Sequence, residues 1–281
     1  MILRELLGQL RQQLAAAGSP SPAADLRCLA CHVLGCSVSM LYVQDSQEVP
    51  PEVTSHLEEL VRRRCAGEPV AYLTGTRAFW SLELACRPCT LIPRPDTETL
   101  VEEALKRAPR GGRVLDLGTG TGAVALALKT ERPDLQITGT DISMEAVELA
   151  GENARRNGLD VCFAQGSWYE AAKGRYDLIV ANPPYIREDD PHLSRGDVRF
   201  EPRSALVAGG GGLSDLRAVI AGAPGYLTDG GWVLVEHGWD QGVQVREIFA
   251  LHGYREIGTV RDLGGNPRVT GGLFFAGGET T

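Results

Sequence analysis

The chain has 281 residues, room for one full α/β domain and a smaller companion. Its apolar share is 43%, ordinary for a soluble globular protein, and no apolar run reaches the ~20 residues of a membrane-spanning helix. A formal net charge of −8 argues against duplex nucleic acid as the substrate, because such binders carry a basic balance or a basic patch.

The N-terminus opens as an amphipathic helix. Leu3, Leu6, Leu7, Leu10 and Leu14 recur at helical spacing up to Gly18-Ser19-Pro20, with Glu5 and Arg11 among them. That pattern is not a signal or transit peptide, so the expected location is the cytoplasm. A second helix is predicted from about Pro22 to Leu34, stopped by Gly35, and a third from about Pro51 to Ala66, with Leu57, Leu60 and Val61 on one face. Ala78 to Leu91 reads as a β-hairpin or extended linker. Ile92 to Glu98 then leads into a helix with Asp96 or Thr97 as its N-cap.

From Arg113 onward strands and helices alternate. Strands are predicted at 113–117, 136–140, 161–164, 176–181, 231–237, 255–261 and 268–275. Helices are predicted at 123–129, 143–157, 216–223 and 241–252, and Gly209 to Gly212 reads as a glycine-rich loop. This order implies a Rossmann-like α/β fold: a seven-stranded, mostly parallel sheet covered on both faces, beside a small helical N-terminal bundle.

Seven cysteines fall into two Cys-x-x-Cys pairs, Cys28/Cys31 and Cys86/Cys89, plus Cys36, Cys65 and Cys162. The pairs allow a zinc reading in principle. Helical spacing in an apolar segment favours Cys28 and Cys31 as packed core thiols instead, and Cys86 and Cys89 read as part of a strand containing Pro88. No metal is expected.

Two segments carry chemistry. In the first, Asp116-Leu117-Gly118-Thr119-Gly120-Thr121-Gly122 follows the first strand of the sheet, where glycines let a ligand approach the backbone at a helix N-terminus. Gly118, Gly120 and Ala123 also fit a loose dinucleotide fingerprint. Asp116 favours a different ligand. A carboxylate there suits the ammonium or sulfonium region of S-adenosylmethionine and sits badly beside a pyrophosphate. Asp141, nineteen positions after Gly122, is placed to accept both ribose hydroxyls, to cap the helix that follows, or both. Trp168 is placed either to cover an adenine or to pack as an ordinary aromatic.

The second segment is Asn182-Pro183-Pro184-Tyr185, at the end of the 176–181 strand. Two prolines fix the backbone and remove two donors, leaving the Asn182 side-chain oxygen and the Pro183 carbonyl as acceptors. Such a pair suits a planar NH₂ group, and Tyr185 can stack on its flat face. An amide nitrogen is a poor nucleophile because its lone pair is delocalised. Two acceptors on its hydrogens favour pyramidalisation and stabilise the positive charge that grows during attack. In-line alignment with the methyl carbon supplies much of the remaining acceleration, and no strong base is needed before attack. A bare proline-rich turn is the competing reading; the glycine loop and Asp141 upstream make it the weaker one.

Several further segments join these two: Gly67-Glu68-Pro69-Val70-Ala71-Tyr72-Leu73-Thr74-Gly75, Ile92-Pro93-Arg94-Pro95-Asp96-Thr97-Glu98, Phe200-Glu201-Pro202 with Ala205-Leu206, and Asp262-Leu263-Gly264-Gly265-Asn266-Pro267-Arg268. With them, nearly the whole chain resembles the release-factor glutamine N5-methyltransferases, the PrmC or HemK family. The family often has an aspartate near 209–212, where this chain has only glycine. The resemblance implies methyl transfer from S-adenosylmethionine, with S-adenosylhomocysteine as product, to the glutamine of the Gly-Gly-Gln loop of class 1 release factors. It implies that Gly118, Thr119, Gly120, Thr121, Gly122, Asp116, Asp141, Trp168 and Asn182 hold the methyl donor. Asn182, Pro183, Pro184 and Tyr185 would hold the glutamine, with Asn182, Pro183 and Tyr185 catalytic. It further implies a docking domain at 1–77, a hairpin linker at 78–98, a catalytic domain at 99–281, and a monomer that binds neither nucleic acid nor membrane. Arg94, Glu98, Arg199 and Glu201 fall near the expected active face, or form ordinary surface ion pairs. Two other readings compete: an adenine-N6 methyltransferase acting on DNA or RNA, which would need a basic recognition region and a flipped base, and a non-catalytic scaffold, which has no need of an amide cradle.

Overall fold

The computed structural model describes residues 1–277, which form two compact units. The first comprises Met1–Thr76 with His192–Phe200, the second Arg77–Pro191 with Glu201 onward.

The first unit is helical: α1 (Leu3–Ala16), α2 (Pro22–Leu34), α3 (Val38–Val43), α4 (Pro51–Cys65) and α5 (Val70–Thr74). Leu6, Leu10 and Leu14 of α1 meet Leu29 of α2 and Leu57 of α4 in one buried cluster. Prolines open α2 and α4 at positions whose N–H needs no intrahelical partner. The short α3 and α5 were not anticipated, because five or six residues give no measurable period. Ser37 caps α3 by accepting from the Met40 N–H at 3.3 Å. Arg64 is nearly buried and fastens the 192–200 segment, donating to Asp25 and to Asp197 at 2.7 Å each. Cys28 departs from the core position expected of it and faces solvent, while Cys31 packs partly on the cluster.

In the second unit a two-stranded hairpin, β1 (Thr76–Phe79) and β2 (Leu82–Ala85), precedes α6 (Glu98–Arg107). Then come β3 (Arg113–Leu117), α7 (Ala123–Glu131), β4 (Gln136–Asp141), α8 (Met144–Arg156), β5 (Cys162–Gln165) and β6 (Tyr176–Ala181). The glycine run makes one tight turn, α9 (Gly209–Gly212), ahead of α10 (Ser214–Gly222). The chain closes with β7 (Leu227–Glu236), α11 (Gly242–Leu251), β8 (Arg255–Arg261) and β9 (Pro267–Leu273). Strand β7 begins four residues before the expected Gly231, since Leu227 already pairs with Tyr176.

The seven strands of the main sheet lie in the order β5-β4-β3-β6-β7-β9-β8, parallel except for β9. Side chains alternate between its two faces. Val114, Leu178, Val180 and Leu234 enter a core with α6 and α7. Leu115, Leu117, Ile179, Val233 and Val235 enter a second core with α10 and α11. Apolar residues on both faces are what a buried parallel sheet requires.

The N-cap expected at Asp96 or Thr97 is absent: α6 follows directly on a tight turn at Pro95–Thr97, and Thr97 itself has helical dihedrals. Asp96 pairs instead with Arg268 at 3.3 Å, and the Thr97 hydroxyl is engaged by Asn182. No helix among the described residues is long and apolar enough to cross a membrane.

One buried side chain ties the hairpin to the sheet. The Asn153 amide accepts from the Ala85 N–H at 2.7 Å and donates to the Ala85 and Thr121 carbonyls. Replacement by alanine strands three buried backbone groups at once. Asn153→Ala is expected to cost about 2–4 kcal/mol, read as a lower urea midpoint with an unchanged slope; a midpoint equal to wild type would refute this role.

Candidate active site

The site begins with strand register. Leu117 pairs with Thr140 of β4 and with Ala181 of β6, and Ala181 pairs with Val235 of β7. The next residue on each strand therefore continues one row across the carboxyl edge: Asp141, Gly118, Asn182, Glu236. In a doubly wound sheet that edge is where ligands bind.

The glycine loop is shaped by hydrogen bonds to β4. The Gly118 and Thr119 N–H groups both donate to the Thr140 carbonyl, at 2.8 and 2.9 Å. The Gly120 N–H donates to Asp141 Oδ2 and the Ser143 N–H to Asp141 Oδ1, each at 2.9 Å. Gly120 sits at a φ of 55°, which a side chain would resist. Asp141 does not cap α8; Ser143 does, accepting from the Ala146 N–H. Each Asp141 oxygen keeps acceptor capacity for a ligand hydroxyl.

A cavity of about 360 Å³ opens over this edge. Its walls include Asp116, Gly118, Thr119, Gly120, Thr121, Asp141, Trp168, Asn182 and Pro184, all of them sites expected from the sequence. Three expected residues stand outside it. Gly122 is a packing glycine, since a Cβ there would meet Ala150 and Leu126 at 3.2 Å. Pro183 is buried. Tyr185 turns its hydroxyl to Glu236 Oε1 at 3.2 Å and packs on the second core. Trp168 holds a left-handed φ of 45° and lies along the glycine loop, where a Cβ on Gly118 would be 3.7 Å from its ring.

Asp116 is fully buried and takes a 2.6 Å hydrogen bond from the Thr119 hydroxyl. Burial nevertheless outweighs that bond and pushes its carboxyl up to about 6. A cation in the cavity would relieve this cost, whereas a pyrophosphate would aggravate it. Two acids on adjacent strands, a tryptophan and the apolar Ile142 suit a ligand with a cationic group, a diol and a flat ring.

Residues 5–75 match the PrmC N-terminal domain and residues 95–211 the methyltransferase small domain. The release factor glutamine methyltransferase of Vibrio cholerae is 53% identical over 267 residues, 94% of this chain and 93% of that one. The enzyme of the same name from Escherichia coli K12 is 47% identical over 276 residues, 97% and 98% of the two chains. The chain belongs to the release factor glutamine methyltransferase family. A methyltransferase from Pyrococcus furiosus shares the fold, with a TM-score of 0.54 at 19% identity over 70% of this chain and 90% of that one.

Other residues of this family member were invisible as site residues. Thr97 looked like a cap but bonds the Asn182 amide at 3.2 Å. Glu236 falls inside the expected strand 231–237 but is wholly buried beside Tyr185, its carboxyl lifted to about 7 chiefly by desolvation. A lone charge directly after the apolar run Trp232 to Val235 was the available signal. Arg94 lines the cavity and pairs with the buried Glu201, which also accepts from the Ile92 N–H at 3.0 Å. Glu98 and Arg199 are structural: Glu98 accepts from the Trp80 N–H, and Arg199 donates to the Ala66 carbonyl in the helical unit. Among the described residues no group of His, Cys, Asp and Glu could hold a metal ion.

A raised carboxyl stabilises the fold at low pH, below the value it has when unfolded, and loses that contribution as pH rises through its folded value. Asp116→Asn therefore gains stability relative to wild type as pH climbs from about 4 to about 6, between the carboxyl's ordinary and folded values, read as a widening difference in melting temperature. A difference independent of pH would show that Asp116 carries no such burden.

Proposed function

We propose that the cavity binds S-adenosylmethionine and that the adjoining Asn182–Tyr185 segment presents the glutamine of a release factor's Gly-Gly-Gln loop for methylation on its side-chain nitrogen. The observation that carries this reading is the shared row: Asn182 lines the same cavity as Asp116 and Asp141. S-adenosylmethionine, when bound, supplies an electrophilic methyl carbon on a sulfonium. Asp116 faces its ammonium and sulfonium region, Asp141 its ribose hydroxyls, and Trp168 with Ile142 its adenine.

Asn182 Oδ1 and the Pro183 carbonyl accept the two hydrogens of the glutamine NH₂. That grip directs the nitrogen lone pair at the methyl carbon and stabilises the positive charge developing on nitrogen. One proton leaves the methylated nitrogen after transfer, so the side chain ends as a neutral N-methyl amide. Tyr185 is bonded to Glu236 and partly buried against the second core, so it holds the shape of the segment, and the stacking role expected for it is not part of this reading.

Residues 1–77 dock the release factor, residues 78–98 link, and residues 99–281 carry the chemistry. Translation factors are cytoplasmic, and the enzyme works there as a monomer.

The test is transfer of labelled methyl to an unmodified class 1 release factor, to the same factor with its Gly-Gly-Gln glutamine changed to alanine, and to adenine-rich duplex DNA. Label is expected on the unmodified factor alone. Asn182→Ala is expected to lower kcat about 10²–10³-fold, as loss of one oriented polar group does. Label on the DNA and none on the factor would replace this reading with the adenine-N6 methyltransferase.

A further inference from the structure

The Asn182–Tyr185 segment is hard to fasten. Pro183 and Pro184 have no backbone N–H, so there the segment can be held only through its carbonyls or its flanking side chains. At its start, Ala181 is paired with Val235 of β7, and the Asn182 amide reaches the Thr97 hydroxyl at 3.2 Å. At its end, the Tyr185 hydroxyl donates to Glu236. A ring hydroxyl steers a side chain; the backbone at that end requires a donor of its own.

Gln241 supplies it. This residue closes the turn that follows β7, its N–H donating to the Gly238 carbonyl at 3.0 Å, and it is 8% exposed. Its Nε2 donates to the Tyr185 carbonyl at 3.0 Å and to the Gly212 carbonyl at 3.3 Å. Its Oε1 accepts from the Gly238 N–H at 2.8 Å. Carbonyls only accept and a backbone N–H only donates, so these three partners leave the Gln241 amide one orientation. The fit extends to the glycine run. Gly212 holds a φ of 85°, and a Cβ there would collide with the Tyr185 carbonyl oxygen and come within 2.8 Å of Gln241 Nε2. The backbones of the Asn182–Tyr185 segment and of the 209–212 turn thus meet on one side chain, and glycine is what lets them.

The two prolines have fixed φ, so few free torsions lie between Asn182 and Tyr185. With both ends held, the Pro183 carbonyl keeps one direction. With the Tyr185 carbonyl released, that direction and the aim of Asn182 drift together. A misplacement of about 1 Å at a reacting group costs on the order of 10²-fold in rate. We propose that Gln241 is a positioning residue: through the Tyr185 carbonyl it fixes the glutamine-binding segment against the donor cavity. The inference rests on the methyl-transfer reading above. Gln241 itself stands outside the cavity wall, so donor binding does not depend on it.

The experiment compares wild type with Gln241→Met, which keeps the volume and removes all three bonds, and with Gln241→Glu, which keeps the shape and sets an acceptor against two carbonyls. The second variant decides the matter should the first fail to fold. Donor affinity is measured by calorimetry with S-adenosylmethionine, and kcat and KM with the release factor. Both variants are expected to lose about 10- to 100-fold in kcat, while KM stays within about threefold and donor affinity within about twofold. Wild-type kcat in the folded variants, or donor affinity falling in parallel with kcat, would overturn the proposal, since the first shows no role and the second a general loss of structure. Independently of any substrate, the Asn182 side-chain ¹⁵N–¹H signals, assigned by their loss in Asn182→Ala, should be single and sharp in wild type and broadened or doubled in the Gln241 variants. Identical Asn182 signals in wild type and variants would also overturn it. Failure of wild type to label the release factor would strike the substrate reading instead, and the Asn182 signals would still decide the role of Gln241.

Discussion

The register of β3 against β4 and β6 is the constraint on which everything else rests. Parallel strands lie about 4.8 Å apart, so residues in one row are close enough to line a common cavity. Here the row collects the acid that pins the glycine loop, the loop itself, the amide of Asn182 and the buried Glu236. A slip by one residue on β6 would send Asn182 to the opposite face and bring a proline into the row. The alternation of Val114, Leu178 and Val180 against Leu115, Ile179 and Val233 between two cores guards against that slip. Packing energy is thus converted into catalytic alignment with no dedicated element between them.

Two buried acids show what that alignment costs. Asp116 and Glu236 sit at strand ends where burial works against their charge, and the hydrogen bonds each receives do not fully compensate. One lines the cavity that a cation would enter; the other lies behind the Asn182–Tyr185 segment, bonded to the Tyr185 hydroxyl. Elsewhere the molecule satisfies its buried side chains well: among the described residues only Glu236 Oε2 and Arg107 Nε are buried side-chain atoms without a hydrogen-bond partner.

Much of this was legible in the chain. The apolar runs of β3 and β6 and the closing strand β8 were located to the residue, because short buried strands flanked by glycine or charge leave little choice. The glycine loop, Asp141 and Asn182 were found by local spacing, and the structure brings them to one edge. What stayed hidden depends on contacts between distant residues. Thr97 and Asn182 are 85 positions apart, and Tyr185 and Glu236 are 51 apart. Gly122 matched the ligand-loop pattern yet serves packing, because a motif does not reveal which of its glycines faces the ligand. The helices α3 and α5 were too short to show a period, and Cys28 followed an apolar pattern onto an exposed face.

The position of β9 bears on biosynthesis. This last described strand is not at an edge; it lies between β7 and β8 and is antiparallel to both. Strand β7, which carries Glu236, therefore keeps one bare hydrogen-bonding edge until residues 267–273 have left the ribosome. A nascent chain halted in that interval holds the glycine loop, Asp141 and Asn182 but presents an open, apolar strand to its neighbours, the configuration most prone to edge-to-edge association. The row is thus complete before the β7 edge is covered, and protection from aggregation arrives only with β9.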